Sequence, residues 1–277
     1  MTSPTTSAPR SSAPAPWPER HRRLYGALDR GAPLLAALAL LLIWELACRL
    51  LAVPSYLLPT PSAIALSAVQ VPLDSWLTHT WATLRVSLQG YALAVLIGIP
   101  LAVALANSRL LSRTLYPQLV IIQSTPIVAV APIIVVVLGA GDAPRVVITF
   151  LITFFPIVVS TVTGLQATPP AMLELSRSLG ASRLRAVRDI QLPFAVPYIF
   201  SALRISVTLA IIGAVVAEFV AAENGLGFFI AFSTSFFKVP QAFAALVVLV
   251  SLSLALFQLV SLTQRLVFPW SLPKTEK

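Results

Sequence analysis

Long runs of apolar residues constrain this 277-residue chain more than any other feature. A helix needs about 20 apolar residues to cross the hydrocarbon core of a bilayer, and every backbone polar group in that core must be hydrogen-bonded internally. Only 10% of the residues are charged, whereas soluble domains carry about 25%. We therefore predict an all-α membrane protein with six transmembrane helices, near residues 33–53, 84–106, 115–138, 145–165, 198–221 and 241–263.

Basic residues are distributed unequally between the segments that separate these runs. Such residues are retained on the cytoplasmic face of a membrane protein, so both termini are predicted to be cytoplasmic. Residues 1–31 are expected to be a disordered basic tail, residues 32–265 the transmembrane domain, and residues 266–277 a cytoplasmic C-terminal tail. The basic residues on the predicted inner side are Arg10, Arg20, Arg22, Arg23, Arg30, Arg109, Arg113, Arg177, Arg183, Arg185, Arg188, Arg265, Lys274 and Lys277. This distribution explains the net charge of +9. A nucleic-acid partner is therefore not expected.

The stretch between the fourth and fifth apolar runs, from Thr168 to Pro197, is predicted to form two short helices joined by a glycine corner. Thr168 is a candidate N-cap of the first helix, and Ser182 is a candidate N-cap of the second. Gly180 supplies the left-handed conformation that ends the first helix, and Pro193 and Pro197 are expected to end the second. An arginine-rich amphipathic helix is also typical of a surface helix resting on anionic lipid headgroups, and the pattern alone does not separate these interpretations.

Within this stretch, the spacing from Glu174 to Gly180 is followed by Ala181-Ser182 and then by Leu192-Pro193. This pattern resembles the coupling-loop signature of ABC importer permeases, which is Glu-Ala-Ala, three residues, Gly, and a downstream Leu-Pro. Leu and Ser stand here where the family usually has the two alanines. The resemblance extends over residues 34–270 and is strongest to permeases of the nitrate, sulfonate, taurine and pyrimidine-precursor group. It implies the type I importer permease fold, with a cytoplasmic coupling helix between spans four and five (coupling segment 168–193).

The resemblance also implies the partners of the chain and the residues that contact them. The chain would be a non-catalytic transport subunit of a bacterial inner membrane, assembled with a second copy of itself, two ABC ATPase subunits and an extracytoplasmic substrate-binding protein. Met172, Leu175 and Leu179 share one helix face and would insert into the ATPase. The residues expected to couple to the ATPase are Glu174, Leu175, Leu179, Gly180, Ala181, Ser182, Arg183, Leu192 and Pro193.

Polar and aromatic groups within the spans are candidates for lining a translocation path. The candidates are Gln123, Ser124, Thr125, Phe154, Phe155 and Glu218. Ser and Thr beside Pro126 could instead only satisfy backbone groups that the proline leaves free. Glu218 is expected to cap or gate the outer mouth, and a solvated interface carboxylate is the alternative. The first five of these candidates are neutral hydrogen-bonding or aromatic groups, and no buried cation lies among them, so they favour a heterocyclic nutrient over an alkyl sulfonate as cargo.

Several function classes lack the residues that they would need. The sequence has no Gly-x-x-x-x-Gly-Lys-Ser/Thr motif, so energy from ATP must come through a partner. The single cysteine, Cys48, cannot form an intrachain disulfide, and the two histidines are too few and scattered for a metal site; no cofactor is expected. Two alternatives remain: a secondary transporter, which would be expected to show an intramembrane coupling carboxylate or an inverted repeat, and a membrane scaffold, which would not need the Glu174 to Gly180 spacing.

Overall fold

The computed structural model describes the backbone of residues 19–272 and the side chains of residues 32–272, and all regular structure in this part of the chain is helical. A π-helical turn, Val187–Gln191, joins α8 to α9, and a 3-10 turn, Pro269–Ser271, follows the last helix. The helices are α1 (Glu19–Leu50), α2 (Pro61–Gln70), α3 (Leu73–Asn107), α4 (Arg109–Gln123), α5 (Ile127–Leu138), α6 (Asp142–Gln166), α7 (Pro170–Ser178), α8 (Arg183–Ala186), α9 (Leu192–Ala221), α10 (Leu226–Ser235) and α11 (Val239–Val267).

The chain divides into two compact units between Val53 and Pro54, so that α1 belongs to the first unit and the other helices to the second. Helix α1 begins at Glu19, inside the segment predicted to be a disordered tail. The helix continues from the apolar run through Pro33 toward the N-terminus. Residues 1–18 and 273–277, which hold much of the two predicted tails, lie outside the described residues.

Five helical segments among the described residues are long and apolar enough to cross a bilayer. They are Ala32–Leu50, Leu73–Asn107, Asp142–Gln166, Arg183–Ala221 and Val239–Val267. Each corresponds to one of the predicted apolar runs. The prediction of an all-α membrane protein is therefore confirmed.

The third predicted span, residues 115–138, is not one continuous helix. Helices α4 and α5 meet at an angle of 96°. The break lies at Pro126, which has no N–H to continue the helical hydrogen bonds. The Ile122 carbonyl, which the missing N–H would have bonded, accepts from the Thr125 N–H at 3.0 Å instead. Taken together as one bent element, α4 and α5 would supply the sixth span.

Helices α3, α6 and α9 form the core of the second unit, and small residues allow them to approach closely. Thr149 of α6 lies between the other two helices. A Cβ placed on Gly90 of α3 would lie 2.6 Å from the Thr149 Cβ, and one on Gly213 of α9 would lie 3.0 Å from the Thr149 Cα. Close backbone approach through small residues is a main source of helix association in lipid. This packing holds α3, α6 and α9 together around Thr149.

Candidate functional site: the coupling segment and the outer turn

The coupling segment begins with α7. This helix starts at Pro170, one residue later than it would if Thr168 were its N-cap. Pro169 occupies the N-cap position, and no side-chain hydrogen bond caps this helix. The Thr168 hydroxyl is buried without a hydrogen-bond partner among the described residues. The prediction that Thr168 caps the helix is wrong, because the second proline, Pro170, takes the first helical position and shifts Thr168 outside the cap.

The glycine corner of the coupling segment is present as predicted. Gly180 has a φ of +74°, and its N–H donates to the Arg177 carbonyl at 3.0 Å. The N–H of Ala181 donates to the Ser176 carbonyl, also at 3.0 Å, which satisfies the end of α7 in the usual manner of a left-handed cap. The corner turns the chain sharply between α7 and α8.

Ser182 caps α8 as predicted, but the prolines that follow do not end the helix. The Ser182 hydroxyl accepts a hydrogen bond from the Arg185 N–H at 3.3 Å. Beyond α8, the π-helical turn leads directly into α9, which contains both Pro193 and Pro197. A π-helical turn shifts the hydrogen-bond register by one residue, so that the missing N–H of Pro193 is accommodated. The expected stop at these prolines is wrong, and the helical segment runs from Arg183 to Ala221.

The face of α7 that was predicted to contact an ATPase is exposed. The exposed fractions are 45% for Met172, 59% for Leu175 and 78% for Leu179; we call these three residues the coupling surface. Of the predicted coupling residues, those that are exposed are Glu174, Leu175, Leu179, Gly180, Ser182 and Arg183, and those that are half-buried are Ala181, Leu192 and Pro193. The segment therefore presents apolar side chains beside a charged surface.

Three of the predicted path residues lie together at the break between α4 and α5. Gln123, Ser124 and Thr125 are all exposed there. The Ser124 hydroxyl donates to the Val120 carbonyl of its own helix at 3.0 Å. That carbonyl also accepts from the Ser124 N–H, so the hydroxyl does not satisfy the carbonyl that Pro126 leaves free. The break thus exposes neutral polar groups in the middle of an otherwise apolar segment.

The aromatic path candidates are not part of this group. Phe154 is 7% exposed and Phe155 is 3% exposed, and both pack into a buried cluster with Ala94, Leu105 and Val158. The ring centroids of the two phenylalanines lie 5.3 Å apart in an edge-on arrangement. The expectation that they line a path is not supported, because their positions on α6 face the core between α3 and α9 rather than a cavity.

Glu218 is buried at the far end of α9, where it is only 2% exposed. Its Oε2 accepts a hydrogen bond from the Gly227 N–H at 2.7 Å. The alternative of a solvated interface carboxylate is therefore wrong. The carboxylate lies at the N-terminus of α10, where the helix dipole and unpaired N–H groups favour a negative charge.

Two side chains of α3 complete this arrangement, and sequence reasoning missed both. The Gly225 N–H donates to Nδ1 of His79 at 3.1 Å, and the Leu226 N–H donates to Oγ1 of Thr83 at 2.8 Å. His79, Thr83 and Glu218 thus accept hydrogen bonds from the N–H groups of three consecutive residues. We call these residues, 225–227, the outer turn. The Gly-Leu-Gly after Glu223 is the sequence signal for this turn. The partners on α3 are more than 140 residues away in the sequence, so no local pattern indicates them.

Comparison with known proteins shows to which family the chain belongs. Residues 94–271 match the family model of the binding-protein-dependent transport system inner membrane component. The chain belongs to this family. The permease is therefore a membrane-spanning subunit of an ABC importer, and membership decides against a secondary transporter and against a scaffold.

Relatives cover almost the whole permease. It is 35% identical to the formylaminopyrimidine transport permease protein ThiX of Halalkalibacterium halodurans, over 90% of this chain and 98% of that protein. It is 38% identical to the riboflavin transport system permease protein RibX of Chloroflexus aurantiacus, over 83% of this chain and 87% of that protein. Among solved structures, an inward-facing MetNI methionine ABC transporter aligns with a TM-score of 0.59 and 25% identity, covering 68% of this chain and 93% of that chain. The predicted importer permease fold is confirmed.

Proposed function

We propose that the permease forms the path for a small heterocyclic nutrient and that its coupling surface docks into a groove on an ABC ATPase subunit, which hydrolyses ATP. Two copies of the permease, two ATPase subunits and an extracytoplasmic substrate-binding protein make up the importer. The observation that carries this proposal is the exposure of Leu175 and Leu179 directly before the left-handed Gly180. Burying a leucine side chain contributes about 1.5–3 kcal/mol, so a partner that covers both leucines gains substantial binding energy.

The proposed orientation places both termini and the coupling surface in the cytoplasm. Support comes from the basic residues, since Arg109, Arg113, Arg177 and Arg183 all lie at the end of the bundle that carries the coupling segment. Retention of such residues on the inner side follows the positive-inside rule. The ATPase is cytoplasmic. Its co-purification with a permease whose coupling surface is intact therefore also tests this orientation.

Substitution of Leu179 by Asp should reduce recovery of the ATPase with the purified permease by roughly tenfold or more, because a desolvated charge replaces buried apolar area. The measurement is co-purification of the ATPase encoded with the permease, followed by its ATP hydrolysis rate in proteoliposomes. The control is Leu184→Asp: Leu184 is also 78% exposed but lies on α8, outside the coupling surface. Equal losses in the two variants would contradict docking through the coupling surface.

For the cargo, we propose a neutral or weakly charged heterocycle that passes between two copies of the permease, along the exposed groups at the break between α4 and α5. Gln123, Ser124 and Thr125 offer hydrogen bonds but no positive charge. An anion would pay heavily to lose its water beside such groups. The two relatives described above, whose names state a formylaminopyrimidine and riboflavin, support the same class.

Calorimetry on the cognate binding protein tests the cargo independently of docking. We expect a dissociation constant in the micromolar range or tighter for a pyrimidine or flavin precursor, since the binding protein selects what the permease receives. Taurine and an alkyl sulfonate serve as the matched controls. Tight binding of a sulfonate, with no binding of pyrimidines or flavins, would end the heterocycle proposal while leaving the ATPase docking intact.

A further inference from the structure

The three acceptors that hold the outer turn differ in how they respond to protonation. Oγ1 of Thr83, which accepts the second N–H of the turn, carries no charge to lose. Oε2 of Glu218 accepts the third N–H, and a protonated carboxyl group still has acceptor capacity. Nδ1 of His79 accepts the first N–H, that of Gly225, at 3.1 Å. In the imidazolium ion both ring nitrogens are donors, so protonation of His79 removes this hydrogen bond.

Two aromatic rings of α10 fix the orientation of the imidazole. Its centroid lies 5.2 Å from the ring centroid of Phe229 and 6.1 Å from that of Phe228, both in tilted arrangements. Both phenylalanines follow the outer turn directly in the sequence. Turning the imidazole away from Gly225 would disturb this packing, so the ring stays beside the turn in either protonation state.

Charged side chains lie on several of the elements that meet at this end of the bundle. They are Asp74 and Arg85 of α3, Asp142 and Arg145 of α6, Glu218 of α9 and Glu223 just after α9. Helices α2 and α10 contain no charged residue. Arg85 and Arg145 both pair with Asp142, and Arg145 also interacts electrostatically with Glu218. Among the side chains that hold the turn, His79 is thus the one that protonation converts from an acceptor into a donor.

Protons can reach the His79 contact from a cavity beside the outer turn. The cavity has a volume of about 700 Å³. Its wall includes Thr78 and Ala82, which flank His79 on α3, and Asn224, which immediately precedes Gly225. His79 itself is half-buried. The hydrogen bond from Gly225 to His79 therefore lies at the edge of a space that opens to solvent.

We propose that the outer turn is a pH-sensitive latch on the N-terminus of α10, with His79 as its titrating group. Neutral His79 holds the Gly225 N–H, and protonated His79 releases it. The hydrogen bonds to Thr83 and Glu218 remain, so acid loosens the start of the turn without freeing the rest. That the latch responds to the external medium rests on the orientation proposed above; the release of Gly225 does not.

Hydrogen exchange at single amides of the full-length permease in detergent tests the latch. Both ends of the bundle meet the same pH in detergent, so the outcome does not depend on orientation or on a partner. The dipeptide Asn-Gly occurs once in the sequence, at residues 224–225. Isotope labels on the Asn carbonyl carbon and the Gly nitrogen therefore isolate the Gly225 amide signal. Exchange is compared at about pH 8 and about pH 5, on either side of the usual histidine range.

After correction for the intrinsic effect of pH on exchange, protection of the Gly225 amide should fall roughly fivefold or more at the lower pH, as expected for the loss of one hydrogen bond. The Gly227 amide is the matched control within the same turn. Its protection should change less than about twofold, because Glu218 can accept in either protonation state. Unchanged protection at Gly225, or an equal fall at Gly227, would overturn the latch.

Two substitutions at position 79 separate titration from packing. His79→Asn places an oxygen near the Nδ1 position that accepts at any pH, so protection of Gly225 should differ less than about twofold between the two pH values. His79→Phe keeps an aromatic ring against Phe228 and Phe229 but offers no acceptor, so protection should be low at both. An Asn variant with the pH dependence of the unmodified chain would exclude His79 as the titrating group.

The protonation state of His79 can also be read without changing it, which keeps the latch testable if both variants fail to fold. The chain has two histidines, and His21→Gln removes the other signal from nitrogen NMR of labelled histidine. At about pH 8 the spectrum should show a proton on Nε2 and none on Nδ1. A proton on Nδ1 at that pH would be incompatible with acceptance of the Gly225 N–H and would overturn the proposal.

Discussion

Gly180→Val should leave the permease inserted and folded while it reduces ATPase recovery and transport by roughly 5- to 30-fold. At a φ of +74°, a residue with a Cβ costs about 1–2 kcal/mol, and a β-branched residue lies at the upper end. No atom lies within 4 Å of the position that a Cβ would take, so the cost arises from the backbone alone. The corner would then open and tilt the coupling surface away from its partner. Co-purification and ligand-stimulated ATP hydrolysis measure the effect.

The matched control at the same position is Gly180→Asn. Asparagine adopts the left-handed conformation far more readily than valine, and the open space around the position accommodates its side chain. We expect the Asn variant to retain most of the ATPase recovery. If Gly180→Val assembled and transported like the unmodified chain, the corner would have no role in coupling. If Asn and Val reduced recovery equally, backbone conformation would not be the cause.

Gly225→Ala should lower the stability of the permease by roughly 3 kcal/mol or more. Gly225 has a φ of +129° and a ψ of 160°, a region that is essentially restricted to glycine and costs other residues about 1–3 kcal/mol. The added Cβ would also collide with the Glu218 carboxylate. The displaced carboxylate would leave the Gly227 N–H unpaired, a further cost of about 1–3 kcal/mol. Thermal unfolding of the detergent-solubilised permease measures the change.

Gly139→Ala separates backbone strain from this collision. Gly139 also has a positive φ, of +80°, but no atom lies within 4 Å of its Cβ position. It should therefore destabilise the permease much less than Gly225→Ala. Glu218→Ala should be destabilising by itself, and combining it with Gly225→Ala should cost less than the sum of the two, because the collision disappears. Equal effects of the two glycine variants, or strict additivity with Glu218→Ala, would contradict this account of the outer turn.

The parts of the fold that the sequence predicted correctly depend on local chemistry or on length. Apolar runs long enough to span a bilayer predicted the long helices, because few alternatives can bury such runs. Gly180 and Ser182 were predicted correctly because a left-handed corner and an N-cap are set by the residues within one turn of helix. The family followed from the same short segment, through the spacing of Glu174 and Gly180.

The errors concern features that depend on neighbours far along the chain or on the hydrogen-bond register. The π-helical turn carries the helix through Pro193, and no residue pattern indicates such a turn in advance. The direction in which Phe154 and Phe155 point depends on how α6 is rotated against α3 and α9, which length and hydropathy leave open. Similarly, the role of Glu218 at the outer mouth stays a prediction, and its burial results from the packing of α3 against α10, which no local pattern indicates.

The continuity of the helical segment from Arg183 to Ala221 has a mechanical consequence. Its 39 residues correspond to a rod about 58 Å long at 1.5 Å per residue. One end of the rod begins at the Ser182 cap beside the glycine corner, and the other end carries the carboxylate that holds the outer turn. Under the docking proposed above, a displacement of the coupling surface would reach the outer turn through this single helical segment. The π-helical turn, Val187–Gln191, is the place where the regular α-helical hydrogen bonding of this segment is interrupted.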